Sequence, residues 1–205
     1  MASNLAHKQD TYTVEQLAVD VEAIMAHETQ HANIVSQTEP LLARFLSAQT
    51  LAEEYCTPAT ERVASDHQDF SLYRLYKGAR KRFNIMSAIW PAGGRSGVHD
   101  HAEKWVVEGV YRNKLRTVRY RRQDDGSRTG HAELRETMAL DLYPGDVAHV
   151  LYPNEAVHDF INPTQEPTVS VHIYGGDITT ETLNYFDPAA NTVESVAHDL
   201  SYDNE

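Results

Sequence analysis

The sequence predicts a mainly β protein, a jelly-roll barrel or sandwich preceded by a helical segment. Hydrophobic residues make up 41% of the 205 residues, which is enough for the buried core of one domain. From about residue 70 onward, short apolar or alternating stretches follow one another, separated by turn signals such as DDGSRTG, YPGD and NPTQEP. Many short strands at such spacing are typical of jelly-roll proteins.

Two helical patterns precede the strands. The first has apolar residues at helical spacing, Leu17, Val21, Ile24 and Met25, after a possible N-cap at Thr13. The second begins at Thr38-Glu39-Pro40, with the proline in its first turn, and runs through Leu46. We expect residues 1–68 to form a helical segment that packs on the outside of the barrel.

We expect residues 69–188 to form the barrel itself. The segments with strand-like patterns are FSLYRLYK, RFNIMSAIW, WVVEGVYRN, KLRTVRY, HAELRETMALDL, DVAHVLY, HDFIN and TVSVHIY. The pair Gly175-Gly176 ends this pattern. The remaining residues, 189–205, are predicted to be an acidic and loosely held tail.

Charge and cysteine content exclude several classes of function. The net charge of −12 is concentrated near the C-terminus, since residues 136–205 hold 13 acidic residues and no lysine or arginine. Such a stretch disfavours nucleic acids and anionic membranes as partners. The chain shows neither a secretion signal nor an apolar stretch long enough to span a membrane. Its single cysteine, Cys56, allows no internal disulfide, and we expect a cytoplasmic protein that acts on small molecules.

Three histidines form the candidate metal site. In the segment Val98-His99-Asp100-His101, side chains two apart on a strand share a face, so both imidazoles can point into the barrel. His158 follows Pro153 by five positions and precedes Asn162, which is the spacing of the second cupin motif. Neutral imidazole suits iron, copper, nickel and zinc.

Ser170, His172 and Tyr174 form a second candidate group. They alternate along the segment SVHIY, so all three can face the same side of one strand. A hydroxyl, an imidazole and a phenol in this order predict a hydrogen-bond relay, with Tyr174 nearest the metal.

With these residues in place, the segment from about Phe70 to Pro188 resembles the cysteine dioxygenase superfamily of cupins. It is most similar to the bacterial branch that includes 3-mercaptopropionate dioxygenases. The strings that carry the resemblance are RFNIMSAIWPAGG, VHDH, RYRRQDDGSR, YPGDVAH, SVHIYGGD and FDP. The resemblance implies a cupin barrel, Fe(II) bound by His99, His101 and His158, and oxidation of a small thiol by O2 to its sulfinate. It also implies that the Tyr174 hydroxyl contacts bound substrate or oxygen.

The sequence departs from the wider cupin pattern at the fourth metal ligand. Many cupins carry a glutamate four or five residues after the second histidine, where this chain has Trp105 and Val106. Glu103 and Glu108 lie nearby but off the motif. Three neutral ligands would leave Fe(II) its full charge and favour an anionic thiolate. The cysteine that mammalian-type enzymes crosslink to their tyrosine is also missing, which agrees with the bacterial branch.

The sequence also departs from the family at the residue that binds the substrate carboxylate. The 3-mercaptopropionate enzymes hold the substrate carboxylate with an arginine shortly after the YGGD string, and this chain has no arginine after Arg135. Arg74, which follows Tyr73 on a strand before the HDH string, and Arg95 are the candidate substrate-binding residues, with Lys104 as a further candidate.

Two other functions stay open on the sequence alone. The missing arginine leaves room for a cupin iron oxygenase that acts on a non-thiol small molecule. The other alternative is a non-catalytic cupin that binds a metal or a ligand. It is less favoured, because such a module has no need of the Ser170, His172 and Tyr174 group.

Overall fold

The structure, a computed structural model, describes residues 11–60, 67–153, 156–197 and 200–205. Two helices come first, α1 (Val14–His27) and α2 (His31–Ala48). Thr13 caps α1 as predicted, because its side chain accepts a hydrogen bond from the Gln16 backbone N–H while the Gln16 side-chain oxygen accepts one from the Thr13 backbone N–H.

The predicted start of α2 is wrong. The helix begins at His31, and Pro40 therefore lies inside it rather than in its first turn. A proline there removes one backbone hydrogen bond. The helix continues through this position because a buried face that includes Ile34, Leu42 and Phe45 packs against the barrel.

Eleven strands form two antiparallel sheets in the described residues. They are β1 (Ser71–Lys77), β2 (Asn84–Trp90), β3 (Val98–His99), β4 (Val106–Arg112), β5 (Leu115–Arg122), β6 (Leu134–Leu142), β7 (Val147–Val150), β8 (Val157–Ile161), β9 (Thr168–Tyr174), β10 (Thr182–Asp187) and β11 (Thr192–Ala197). The five-stranded sheet has the order β1-β2-β9-β4-β7, and the six-stranded sheet has the order β11-β10-β3-β8-β5-β6. The chain thus folds as a mainly β jelly-roll barrel, a double-stranded β-helix, with an N-terminal helical segment, and the predicted fold class is confirmed.

The five-stranded sheet is buried on both faces. Its outer face packs under the two helices, with Val107, Val171 and Ile173 in the same apolar cluster as residues of α1 and α2. The approach is close at Gly109, where a Cβ would lie 2.6 Å from Leu46 Cδ1. The inner face lines the barrel, and residues i and i+2 of each strand therefore reach the interior together.

The C-terminal segment is more ordered than the sequence predicts. Residues expected to form a loosely held tail include β11, which pairs with β10 along its whole length. Farther on, the Asp203 carboxylate and amide bond the Leu72 backbone at 2.7 Å each. The polar, acidic composition hid this strand, because β11 lies at a sheet edge and its side chains are mostly exposed.

Among the helices that the structure describes, none has the length and apolar character needed to cross a membrane.

Candidate metal centre

His99 lies at the end of β3, with its ring turned toward the barrel interior. Its Nδ1 lies 3.0 Å from the Gly97 carbonyl oxygen. A carbonyl oxygen only accepts hydrogen bonds, so Nδ1 carries the proton and Nε2 keeps its lone pair. The ring therefore presents one free donor atom to the interior.

His101 follows β3 and is held by the loop rather than by a strand. The side chain of Asp100 fixes this loop, since its two oxygens accept from the Asn184 backbone amide at 3.0 Å and from the Asn184 Nδ2 at 2.7 Å. The His101 side chain is buried, and its ring faces the Ala156 backbone carbonyl without forming a hydrogen bond of full geometry. At most one ring nitrogen is engaged by the protein, so the other keeps its lone pair for a bound group.

His158 completes the group from β8. It lies opposite His99 in the β3–β8 register, so the two side chains share the inner face. The three rings have centroids 4.7 to 5.0 Å apart, and one ligand atom from each lies within 4.8 Å of the others. The structure thus brings together all three histidines that the sequence predicts.

Burial keeps these imidazoles neutral. It lowers the pKa of His99 and lowers the pKa values of His101 and His158 well below the usual histidine value, to which the neighbouring histidines also contribute. Neutral nitrogens with free lone pairs are what a transition metal requires. The three residues therefore fit a divalent metal ion of the kind that imidazole favours.

Ser170, His172 and Tyr174 lie on the inner face of β9, as the alternation predicts. The Ser170 Oγ lies 2.7 Å from His172 Nε2 and accepts a 2.7 Å hydrogen bond from Trp90 Nε1. Between His172 and Tyr174 the contact is ring stacking, with centroids 5.9 Å apart, and no hydrogen bond joins them. The three side chains thus stand in line. The hydrogen bonds join His172 to Ser170 and Ser170 to Trp90, and none joins His172 to Tyr174.

Tyr174 is nevertheless the residue of this group beside the metal site. Its ring centroid lies 5.7 Å from that of His101. Burial, together with the charge of Glu108, raises the pKa of the Tyr174 hydroxyl well above its usual value. The hydroxyl therefore remains protonated at neutral pH and can donate a hydrogen bond into the cavity.

Glu108 is a residue that sequence reasoning missed. It lies on the inner face of β4, is fully buried, and places its two carboxylate oxygens 3.6 Å from His158 Nδ1 and from His172 Nδ1. The signal was the alternation of Val106, Glu108 and Val110, in which a charged residue takes a core-facing position between two valines. The three neutral ligands alone suggested a site without carboxylates. The structure instead places the Glu108 carboxylate next to one of them.

A small cavity of about 30 Å³ adjoins the histidines. Most of its wall is apolar or aromatic. The residues of this wall are Phe70, Leu72, Met86, Ala88, Trp90, Phe160, Tyr185 and Leu200. The cavity is narrow, and its apolar wall limits the water around the metal site.

The predicted cationic clamps do not line this cavity. Arg74 bonds Asp177 at 3.1 Å and Glu205 at 2.5 Å and lies over the Tyr202 ring. Arg95 pairs with Asp159, and Lys104 lies 3.2 Å from Glu181. Each cation is held by a carboxylate of the chain itself, and all of these carboxylates lie in the acidic segment 136–205.

No protein-family model matches the chain. Among solved structures, a cupin-superfamily protein from Silicibacter pomeroyi, described as a sugar phosphate isomerase, is 21% identical with a TM-score of 0.48, over 74% of this chain and 94% of that one. The cupin domain of an XRE-family transcriptional regulator from Enterobacter cloacae is 16% identical with a TM-score of 0.38, over 54% of this chain and 99% of that one. Recombinant oxalate oxidase in complex with glycolate is 13% identical with a TM-score of 0.42, over 62% of this chain and 61% of that one. At these values no role of a residue transfers, and the assignment of the jelly-roll fold rests on the strand order of this chain.

Proposed function

We propose that this protein is a mononuclear non-haem Fe(II) dioxygenase that oxidises a small thiol to its sulfinate with O2. The observation that carries the proposal is the convergence of His99, His101 and His158, buried and neutral, beside the Tyr174 hydroxyl at an apolar cavity. The sequence resemblance to thiol dioxygenases supports the choice of iron and of a thiol. A cytoplasmic location agrees with the single, buried Cys56.

The reaction needs no further reactant. A thiol R–SH and O2 give R–SO2H, so both oxygen atoms end on sulfur and the thiol supplies all the electrons. Fe(II), when bound, would favour the thiolate form of the substrate and bring it together with dioxygen.

The chain itself contributes positioning, a proton donor and protection from water. The three histidines present neutral donors from one face of the barrel, and the cavity wall holds the alkyl part of the substrate. The Tyr174 hydroxyl keeps its proton and donates a hydrogen bond to an oxygen or sulfur atom held in the cavity. The Ser170–His172 pair fixes the strand face that carries Tyr174.

Oxygen uptake by the iron-loaded protein tests the proposal. The panel consists of cysteine, 3-mercaptopropionate, cysteamine and mercaptosuccinate, with product identified by mass spectrometry. We expect at least one thiol to consume one O2 for each sulfinate formed. An iron-loaded protein that consumes no oxygen with any small thiol would overturn the proposal.

A second candidate is a cupin iron oxygenase that acts on an apolar, non-thiol molecule. The observation that favours it is the apolar cavity wall, combined with the pairing of Arg74, Arg95 and Lys104 to carboxylates of the chain. Oxygen uptake with small aromatic or aliphatic substrates, in the absence of uptake with thiols, would favour this candidate.

A further inference from the structure

The carboxylate of Glu108 is buried inside the barrel at a position that ordinarily takes an apolar residue. Its strand neighbours on the same face, Val106 and Val110, belong to the inner apolar core, and all three are fully buried. Burying a carboxylate among apolar groups is costly unless polar groups face it. The groups that face Glu108 therefore indicate what it does.

Two imidazoles face this carboxylate, one from each sheet. Glu108 Oε1 lies 3.6 Å from Nδ1 of His158, and Oε2 lies 3.6 Å from Nδ1 of His172. Within the described residues, none of these four atoms has a hydrogen-bond partner. The distances are slightly longer than those of formed hydrogen bonds, and a small rotation of the carboxylate would close either contact.

The proton on His172 can be placed from its other side. The Ser170 Oγ accepts from Trp90 Nε1, and its own hydrogen can donate to His172 Nε2 at 2.7 Å. A neutral imidazole whose Nε2 accepts carries its proton on Nδ1. This tautomer also directs an N–H rather than a lone pair toward Glu108 Oε2, so both contacts of the ring favour it.

The proton on His158 follows from the same carboxylate. A lone pair on Nδ1 would face the lone pairs of Glu108 Oε1, which is repulsive, whereas an N–H would face them favourably. With the proton on Nδ1, the Nε2 lone pair of His158 is free to bind a metal together with His99 and His101. A carboxylate that orients a ligating imidazole from behind is a recurrent feature of metal sites.

We propose that Glu108 is a positioning residue, which holds His158 in the Nδ1–H tautomer and connects this ligand to the Trp90, Ser170 and His172 hydrogen-bond chain. The inference rests on metal binding by the three histidines. It does not depend on the substrate, so it can hold even if thiol oxidation fails. Glu108 acts from the Nδ1 side of His158 and lies outside the three-histidine group whose ligand atoms converge.

Histidine tautomers in the metal-free protein give the direct test. Long-range proton–nitrogen NMR of protein labelled with ¹⁵N-histidine reports which ring nitrogen carries the proton. We expect Nδ1–H for both His158 and His172 in the wild type. In Glu108→Leu, His158 should populate the Nε2–H form, while Ser170 keeps His172 unchanged.

Fe(II) affinity is the second readout, measured anaerobically by competition with a chromophoric chelator. Glu108→Leu should weaken binding by about 10- to 100-fold, the range typical of such partners. Glu108→Gln should weaken binding less, because its amide carbonyl can still accept from one ring. Glu103→Gln, an exposed change close to the same loop, is the matched control and should alter neither readout.

Two results would overturn the proposal. One is a wild-type His158 with its proton on Nε2. The other is a folded Glu108→Leu protein with unchanged tautomers and unchanged Fe(II) affinity. If Glu108→Leu does not fold, the wild type and Glu108→Gln decide the matter. An Nδ1–H tautomer of His158 in the wild type, together with weakened Fe(II) binding in Glu108→Gln, supports the proposal. Fe(II) binding in Glu108→Gln that is as tight as in the wild type contradicts it.

Discussion

The two sheets of the barrel contribute differently to the site. The six-stranded sheet supplies the candidate ligands, with His99 on β3, His158 on β8 and His101 in the loop after β3. The five-stranded sheet faces them with Glu108 on β4 and Tyr174 on β9. The helices cover the outer face of this second sheet and the barrel core covers its inner face, so Glu108 and Tyr174 stand on a sheet that is buried on both sides.

Removing a ligand should have the largest effect and break the site on the six-stranded sheet. His158→Ala leaves two imidazoles, and we expect Fe(II) affinity to fall by more than about 100-fold, beyond the loss typical of an orienting partner. Isothermal titration under anaerobic conditions measures the change. His149→Ala is the control and should bind Fe(II) as the wild type does. His149 is a half-exposed residue of β7 that pairs with Glu39 of α2. Wild-type affinity in His158→Ala would contradict the assignment of this ligand.

Tyr174→Phe should distinguish metal binding by the six-stranded sheet from proton donation by the five-stranded sheet. The variant keeps all three histidines, so Fe(II) affinity should be unchanged, while oxygen uptake falls on the order of 100-fold because a preorganised donor is lost. Tyr73→Phe makes the same chemical change at a residue whose hydroxyl bonds the Thr57 backbone outside the cavity, and it should retain turnover. Equal turnover in Tyr174→Phe and the wild type would remove Tyr174 from the reaction.

The ligand side of this comparison could be predicted from the sequence because its signals are local. The HDH string and the spacing around His158 identify the three histidines, and alternation along β9 places Ser170, His172 and Tyr174 on one face. The partners of Arg74 could not be predicted, since Asp177 and Glu205 lie more than 100 positions away along the chain.

Glu108 could not be assigned from the sequence for another reason. It lies off the positions, four or five residues after His101, where many cupins carry a ligating glutamate. Its real signal was strand alternation, and that signal becomes specific only when the sheet is known to be buried on both faces. A strand that is buried on both faces is apolar at nearly every position, so its sequence does not show which residues point inward. Whether an inward charge has a polar partner depends on the residues of the opposing sheet.

Arg74→Met should destabilise the five-stranded sheet without disturbing the ligands. The change leaves the buried Asp177 carboxylate with only Lys77 and the Thr179 hydroxyl as partners, at a cost on the order of 2 kcal/mol in the free energy of unfolding. Chemical denaturation measures this loss, and Fe(II) affinity should stay unchanged. Arg112→Met, which removes an exposed pair with Glu53, should change stability little. A large loss of Fe(II) affinity in Arg74→Met would show that the two regions are coupled.

The pH dependence of stability is a graded effect, and it belongs to the histidines of the six-stranded sheet and of the loop after β3. Burial lowers the pKa values of His99, His101 and His158 in the folded protein, so below the usual histidine pKa of about 6.5 the unfolded chain binds more protons than the folded one. The metal-free protein should therefore keep its stability above this pH and lose it below, by up to ~1.4 kcal/mol per pH unit for each histidine. His158→Ala should show a shallower fall in denaturation curves taken across this range. Equal slopes in the two proteins would contradict the neutral, buried state of His158.

The most direct test of the division between the sheets is a crystal structure of the protein loaded anaerobically with Fe(II). We predict one iron bound by Nε2 of His99, His101 and His158, with Glu108 on the Nδ1 side of His158 and outside the coordination shell. Iron bound by Glu108 or His172, or by fewer than the three histidines, would contradict the account.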